Sequence, residues 1–457
     1  MNSARYRELL LSLFYLTLVS VPLSVEWFSP RWHFGLTLFT EPLMVLTVGG
    51  LALGLLLGWL RWPTKITRLD LLIGLHFGIL LLATGLSSSR LVSAKHYLSL
   101  VLYLLVGYGL PRALALSGRE WRRAGGALAL GTGLLGSYVL ARHLQLGFSF
   151  SLSYFIGRPF SVNGHTNLTV QLEPLILGLN LLLLGCGWAQ GGRGRRLVAS
   201  GLTAVLLVVA FSFSRASFCS LLLQAGLLLA YSRWPAARRL LLVWAVAGLV
   251  VAGGWQALKH LHYNTSLRDT PFWEEMSTLR DFSSTNESNA ERLNRWRFCL
   301  RAFQQSPLLG VGPGTFPDRY LDYVRQTPGH PIYLDTKQRM NAHNLYLNWL
   351  AESGLLGLLS GLLLLAYPVG QQLRQLGRRP MPLLQLGLLA YFAFFLLHSL
   401  AQDFWQEPRV IVLFWLVLGW QRYCARAAAA ASPLASAPAP LLERTPGDRT
   451  ALLSCLL

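Results

Sequence analysis

Residues 338–359 read QRMNAHNLYLNWLAESGLLGLL, a polar approach that turns at His343 into an apolar run. From Leu345 to Pro368 that run can cross roughly 30 Å of hydrocarbon as a helix, so the imidazole sits at the lip of a membrane span. What such a ring can do depends on the side of the membrane it faces. Topology therefore comes before chemistry.

Working outward, the whole chain has the same character. It has 457 residues, of which 53% are hydrophobic and only 13% charged, and its mean hydropathy is positive. That leaves too little polar surface to cover a soluble globule of this size. Lipid obliges each spanning backbone to satisfy its own hydrogen bonds, so the expected fold is all-α and polytopic. About twelve spans are predicted, over 9–28, 36–60, 69–87, 95–111, 124–144, 166–189, 197–213, 215–232, 239–258, 345–368, 381–402 and 409–424. The first is longer than a signal-peptide core and lacks a clear small-residue cleavage site, so it is expected to be retained.

A formal charge of +20 could point to nucleic acid. The basic residues are instead dispersed in short connections, with no compact basic domain to hold a duplex, so no nucleic-acid partner is expected. Arg5/Arg7, Arg61/Lys65/Arg68, Arg112/Arg119/Arg122/Arg123, Arg193/Arg195/Arg196, Arg233/Arg238/Arg239, Arg374/Arg378/Arg379 and Arg422/Arg426 occupy every second connection. By the positive-inside rule these are cytoplasmic, which puts both termini in the cytoplasm and the long connection from Lys259 to Asn344 outside. The expected organisation is spans 1–9 over 1–258, an exported loop domain containing helices over 259–344, spans 10–12 over 345–424, and a disordered Ala/Pro-rich cytoplasmic tail over 425–457. Of the five cysteines only Cys299 falls in the exported loop, so neither a disulfide framework nor a thiolate metal site is expected.

With that orientation, three chemically interesting residues share the outer side. Arg158 lies in FIGRPFSVNGHTNL, Arg215 in FSFSRASF and His343 at the end of the long loop. Arg215 reads either as an arginine snorkelling to headgroups or as part of an anion site, with Ser212, Ser214, Ser217 and a new helix's free N–H groups around it. In the long loop, Ser288 and Glu291 form a capping box for an amphipathic helix running to about Gln305, with Leu293, Trp296, Leu300 and Phe303 as its apolar stripe. Arg292 and Arg295, at i, i+3 spacing, could grip a diphosphate with planar forks, or the helix could simply lie on anionic headgroups. The SPLLGVGPG that follows cannot continue a helix and should fold the chain back.

His343 precedes a helix for which Asn341 or Asn344 is a plausible N-cap. The positive end of that helix disfavours imidazolium, so the ring should be neutral near pH 7 and able to accept a proton. It could equally be an interfacial capping residue. Asn344, Asn348 and Glu352 recur every four residues as a polar stripe, and a carboxylate at that depth should face the bundle interior. Asp403 and Glu407 form a second outer acidic cluster with an expected structural role.

Together, FSFSRASF, ERLNRWRFCLRAFQQSPLLGVGPGTF and AHNLYLNWLAESGLLGLL resemble the O-antigen ligase and polymerase superfamily of bacterial envelope glycosyltransferases. The resemblance runs from about Arg158 to Gly357. It implies a GT-C-like membrane protein of the inner membrane with one large periplasmic loop. It also implies metal-independent transfer from an undecaprenyl-diphosphate-linked glycan, in the ligases to the terminal sugar of lipid A–core and in the polymerases to another lipid-linked repeat. Carried across, Arg215 and Arg292 would bind the donor diphosphate and His343 would activate the acceptor hydroxyl, with Arg158, Arg295, Asn344 and Glu352 as supporting candidates. No metal or other cofactor is expected. A flippase for the same lipid-linked sugar would also explain the spans, but it leaves the base and the arginine loop unused and predicts midplane charges in both halves.

Overall fold

The computed structural model describes residues 3–29, 34–146, 287–326, 341–374 and 383–430, with a few isolated helical positions between 226 and 246. Its frame is helical: α1 (Ser3–Ser20), α2 (Thr40–Leu56), α3 (Arg68–Leu86), α4 (Arg90–Leu104), α5 (Leu110–Ala113) and α6 (Gly118–Leu146), then α7 (Glu287–Gln305), α8 (Phe316–Gln326), α9 (Leu345–Leu373), α10 (Leu383–His398) and α11 (Pro408–Ala430). Four helical stretches among the described residues are long and apolar enough to cross a membrane, namely Arg68–Leu86, Arg90–Ala113, Gly118–Arg142 and Leu345–Leu373. With the shorter apolar helices Thr40–Leu56 and Gly387–His398, they make this a polytopic membrane protein. The expected number was about twelve. The spans predicted at 166–189, 197–213, 215–232 and 239–258 lie largely or wholly outside the described residues.

The fold is not purely helical. Where the first two spans were expected to run to residue 28 and to begin at residue 36, a hairpin intervenes, with β1 (Val25–Ser29) pairing antiparallel to β2 (Phe34–Leu38) in the register Val25 to Leu38. Pro22 explains the early stop of α1, because it disfavours helix at the preceding residue and cannot donate to the helical ladder. The β-branched and aromatic residues that follow suit a pleated surface.

A second irregularity links α4 to α5, where Leu105–Gly109 form one π-helical turn. It lets Gly107 sit directly on α11, where any Cβ would lie 2.6 Å from Trp415 Cβ and 2.8 Å from the Val412 carbonyl oxygen. The centre of the bundle is aromatic. His76 of α3 lies edge-on to Trp405 at 5.5 Å between centroids, Trp349 meets Trp405 at 5.0 Å, and His76 Nδ1 is 3.0 Å from Ser360 Oγ.

α3 and α9 are close neighbours, and their two ends differ. At the N-terminal end of α3, Asp70 accepts from Thr67 N at 2.7 Å, Tyr108 OH at 2.7 Å, Arg112 Nη1 at 2.5 Å and Arg422 Nη1 at 2.8 Å. The residues expected to be cytoplasmic thus gather at one end. At the other end, the connection from α3 to α4 meets the loop segment, for a Cβ on Gly312 would lie 2.1 Å from Ser87 Oγ.

α9 is broken there. Gly354 has φ 65° and ψ −164° inside an otherwise continuous helix. A break at membrane depth is costly unless the freed groups find partners. The turn after α7 supplies them: Val311 N and Gly312 N donate to the carbonyls of Ala351 and Glu352, each at 3.0 Å, while Leu355 N and Leu356 N donate to the carbonyls of Pro307 and Leu308, at 2.8 and 3.2 Å. The fit is close enough that a Cβ at Gly354 would lie 2.4 Å from the Leu308 carbonyl carbon, and one at Gly310 would lie 2.3 Å from that of Glu352. The predicted fold-back of SPLLGVGPG is present, and it interlocks with the helix whose lip carries His343.

Candidate functional site

Residues 341–344 form the link between the loop and α9. Asn344 is the N-cap: its side chain accepts from Leu347 N at 3.0 Å and donates to the Leu400 carbonyl at 3.0 Å. Asn341, the other candidate cap, instead bends the link by accepting from His343 N at 3.0 Å. Between them His343 adopts φ 47°, in the left-handed region. Few side chains enter that region, and histidine is among those found there more often than most. A strained backbone held by hydrogen bonds on both sides is a feature found preferentially at functional positions.

The half-buried His343 ring places Nδ1 2.8 Å from Gln402 Oε1. Burial, with the positive charges of Arg295 and Arg292, drives its pKa from 6.5 down to about 3, against a smaller opposing effect of the Gln402 hydrogen bond. The ring is therefore neutral at physiological pH, as its place at a helix start leads one to expect. The same charges show that α7 brings both arginines to bear on the histidine.

The two arginines do different things. Arg295 is 1% exposed, paired with Glu291 one turn earlier, and donates to the Asn341 carbonyl at 3.2 Å. Trp296 Nε1 reaches the next carbonyl, that of Ala342, also at 3.2 Å. These contacts fasten α7 to the link that carries His343, so Arg295 is buried in the junction and does not lie along headgroups. Arg292 is half-buried on the same helix.

The expected apolar stripe of α7 is also displaced. The buried residues are Asn294, Arg295, Phe298, Cys299 and Ala302, while Leu300 is 50% exposed. Phe298, Cys299 and Ala302 enter a small core with Phe316, Tyr320, Val324, Ala342 and Ala351, so α7 packs on α8 and on the start of α9. The helix begins at Glu287, which puts Ser288 inside its first turn, and Glu291 turns to Arg295.

Asn344, Asn348 and Glu352 are all buried, as a stripe facing the bundle interior should be. Glu352 Oε1 accepts from Phe316 N at 2.9 Å, which places its charge at the positive end of α8. Its other oxygen accepts from Asn348 Nδ2 at 3.2 Å. The two residues of the expected outer acidic cluster divide. Glu407 pairs with Arg409 at 3.0 Å, and Arg409 with Glu26 at 3.2 Å, tying β1 to the start of α11. Asp403 accepts from Trp405 N at 3.2 Å, and burial together with the nearby Glu352 charge raises its pKa to about 8.

The structure thus gathers His343, Arg292, Arg295, Asn344 and Glu352 around one junction, and Gln402 joins them. No sequence signal marks a glutamine after a span as a histidine partner; only the approach of the α10 end to the α9 start reveals it. Arg215 and Arg158 lie outside the described residues. Among the described residues, no three of His, Cys, Asp and Glu converge as a metal-binding group.

Residues 199–362 match the family model described as O-antigen ligase. The chain therefore carries a domain of that family, and the match takes in Arg215, α7, the interlocked turn, His343 and Glu352. No curated protein sequence matches the chain.

Proposed function

From a membrane protein that carries an O-antigen ligase family domain, we propose a metal-independent glycosyltransferase that moves a glycan from undecaprenyl diphosphate to the terminal sugar of lipid A–core, at the periplasmic face of the bacterial inner membrane. The observation that carries the reading is a neutral imidazole, held at a strained backbone position beside arginines, within the stretch that matches the family.

The chemistry needs little more than those parts. His343 takes the proton of the acceptor hydroxyl as its oxygen bonds to the anomeric carbon of the donor sugar. The bond from that carbon to the diphosphate oxygen breaks, and the leaving group carries the electron pair away. Arg292, with Arg215, supplies fixed positive charge to the departing diphosphate. The arginines also keep the base neutral, since a second positive charge beside them is unfavourable. Arg295, Asn344 and Glu352 hold the junction in shape. Arg158 completes the outer basic surface in this reading.

In this reading the end of the bundle with Asp70, Arg112 and Arg422 faces the cytoplasm, both termini are cytoplasmic, and about twelve spans complete the membrane body. The basic character of that end and the gathering of the loop at the other end support it. The test is reconstitution with a lipid-diphosphate-linked glycan and a lipid A–core acceptor. A new glycolipid bearing the donor glycan on core is the expected product. Longer lipid-linked glycan without core transfer would make the protein a polymerase, and transbilayer movement of unchanged donor would make it a flippase.

A further inference from the structure

We propose that Gln402 is a positioning residue that decides which ring nitrogen of His343 takes the acceptor's proton, an inference that rests on His343 being the base. A neutral imidazole has one nitrogen that donates and one that accepts. With Gln402 Oε1 2.8 Å from Nδ1, Nδ1 carries the proton and Nε2 is left with the lone pair that a base needs. The partner of the opposite nitrogen sets the tautomer.

Three features make this contact more than a chance neighbour. First, the two residues stand on backbones joined to each other: Leu345 N donates to the Ser399 carbonyl at 2.9 Å, and Asn344 Nδ2 to that of Leu400 at 3.0 Å. Second, the turn bearing Gln402 is itself fixed, because Gln402 N donates to the His398 carbonyl at 3.1 Å. A contact pre-set in this way costs little ordering at the moment of reaction. Third, the partner is an amide and not a carboxylate. The charged groups bearing on the ring are Arg292 and Arg295 of α7, with Glu291 committed to Arg295, and the adjacent Asp403 keeps its proton to about pH 8. A carboxylate at position 402 would favour imidazolium, whereas glutamine orients the ring and leaves it neutral.

The experiment compares wild type, His343→Ala, Gln402→Leu and Gln402→Glu as full-length proteins in lipid nanodiscs, with undecaprenyl-diphosphate-linked glycan and lipid A–core. Gln402→Leu should lose about tenfold or more in kcat with little change in donor KM, because the tautomer is no longer fixed. Gln402→Glu still accepts from Nδ1 and should stay active, with the acid limb of its rate profile moved up by about one pH unit or more. A Gln402→Leu protein with wild-type kcat overturns the inference. So does a Gln402→Glu protein with an unshifted pH profile, and that variant decides the matter if the leucine variant does not fold. Activity in His343→Ala would remove the base itself. An inactive His343→Ala beside a fully active Gln402→Leu would remove only the role of Gln402.

Discussion

Two clusters of polar and charged groups stand at opposite ends of α3, and they are built on different plans. Around Asp70, one carboxylate is the shared acceptor of the whole cluster. The carboxylate accepts from Thr67, Tyr108, Arg112 and Arg422, and both guanidinium groups also donate to the Lys65 carbonyl. Around His343 the arrangement is different. Two arginines bear on a neutral ring, one carboxyl nearby keeps its proton, and the backbone is held in a left-handed conformation. A closed network stabilises one arrangement of helices. The other sets two arginines beside a ring whose proton affinity is strongly lowered, the kind of perturbed group that clusters at functional sites.

The contrast breaks most sharply on His343. His343→Ala should remain folded and lose about 10²–10⁴-fold in transfer rate, the usual contribution of a general base. His343→Asn keeps a polar side chain at the link, so near-wild-type turnover in that variant would reduce the histidine to a structural role. The wild-type rate should stay independent of this ring from neutral pH down well past its ordinary value of roughly 6.5, since the folded ring gains a proton only near pH 3.

The Asp70 cluster should respond in the opposite sense. Asp70→Asn leaves two half-buried arginines without this countercharge and should cost roughly 1.5–3 kcal/mol of stability, the range for hydrogen bonds to charged groups. The protein that does fold should keep wild-type specific activity. A thermal melt in detergent measures the first, and turnover per folded molecule the second. Normal melting with lost activity would merge the two clusters into one functional system.

Arg292 and Arg295 should respond differently within the site. Arg292→Ala should weaken donor binding by about tenfold to a hundredfold at unchanged melting temperature, because charge-assisted hydrogen bonds to the diphosphate contribute roughly 1.5–3 kcal/mol. Lysine should restore only part, since it lacks the planar fork. Arg295→Ala should instead lower the melting temperature by releasing α7 from the Asn341 carbonyl. Donor binding by isothermal titration separates the two.

Asp403 adds an effect that depends on pH. Its folded pKa is raised to about 8, while the unfolded carboxyl ionises near roughly 4. The folded state therefore holds a proton that the unfolded state has released, and this group's contribution falls as pH rises from about 4 to about 8. Asp403→Asn should flatten that part of the melting profile. A slope identical to wild type would mean that Asp403 is ionised in the folded protein.

The sequence determined what depends on composition and short-range pattern. Apolar length marked α3 closely and the bodies of α6 and α9, whose start at Gly118 and end at Leu373 lie beyond the apolar run, because a helix in lipid must be long and apolar whatever it packs against. The four-residue spacing of Asn344, Asn348 and Glu352 put them on one buried face, and the place of His343 before a helix led to the expectation of a neutral ring, which in the folded protein follows from burial and the charges of Arg295 and Arg292. Other features were decided only when distant segments met. Pro22 could be seen in the sequence, but the strand pairing after it needed a second strand, so the hairpin was read as parts of two spans. Arg295 looked like its neighbours on a basic helix until α7 docked on residues 341–342 and buried it. Gln402 gained a role because the end of α10 is hydrogen-bonded to the start of α9. The break at Gly354 is tolerated because residues 307–312, more than forty positions earlier in the chain, supply the hydrogen bonds that the helix gave up. Long-range backbone pairing leaves no periodicity in a sequence, whereas lipid solubility and helical spacing do.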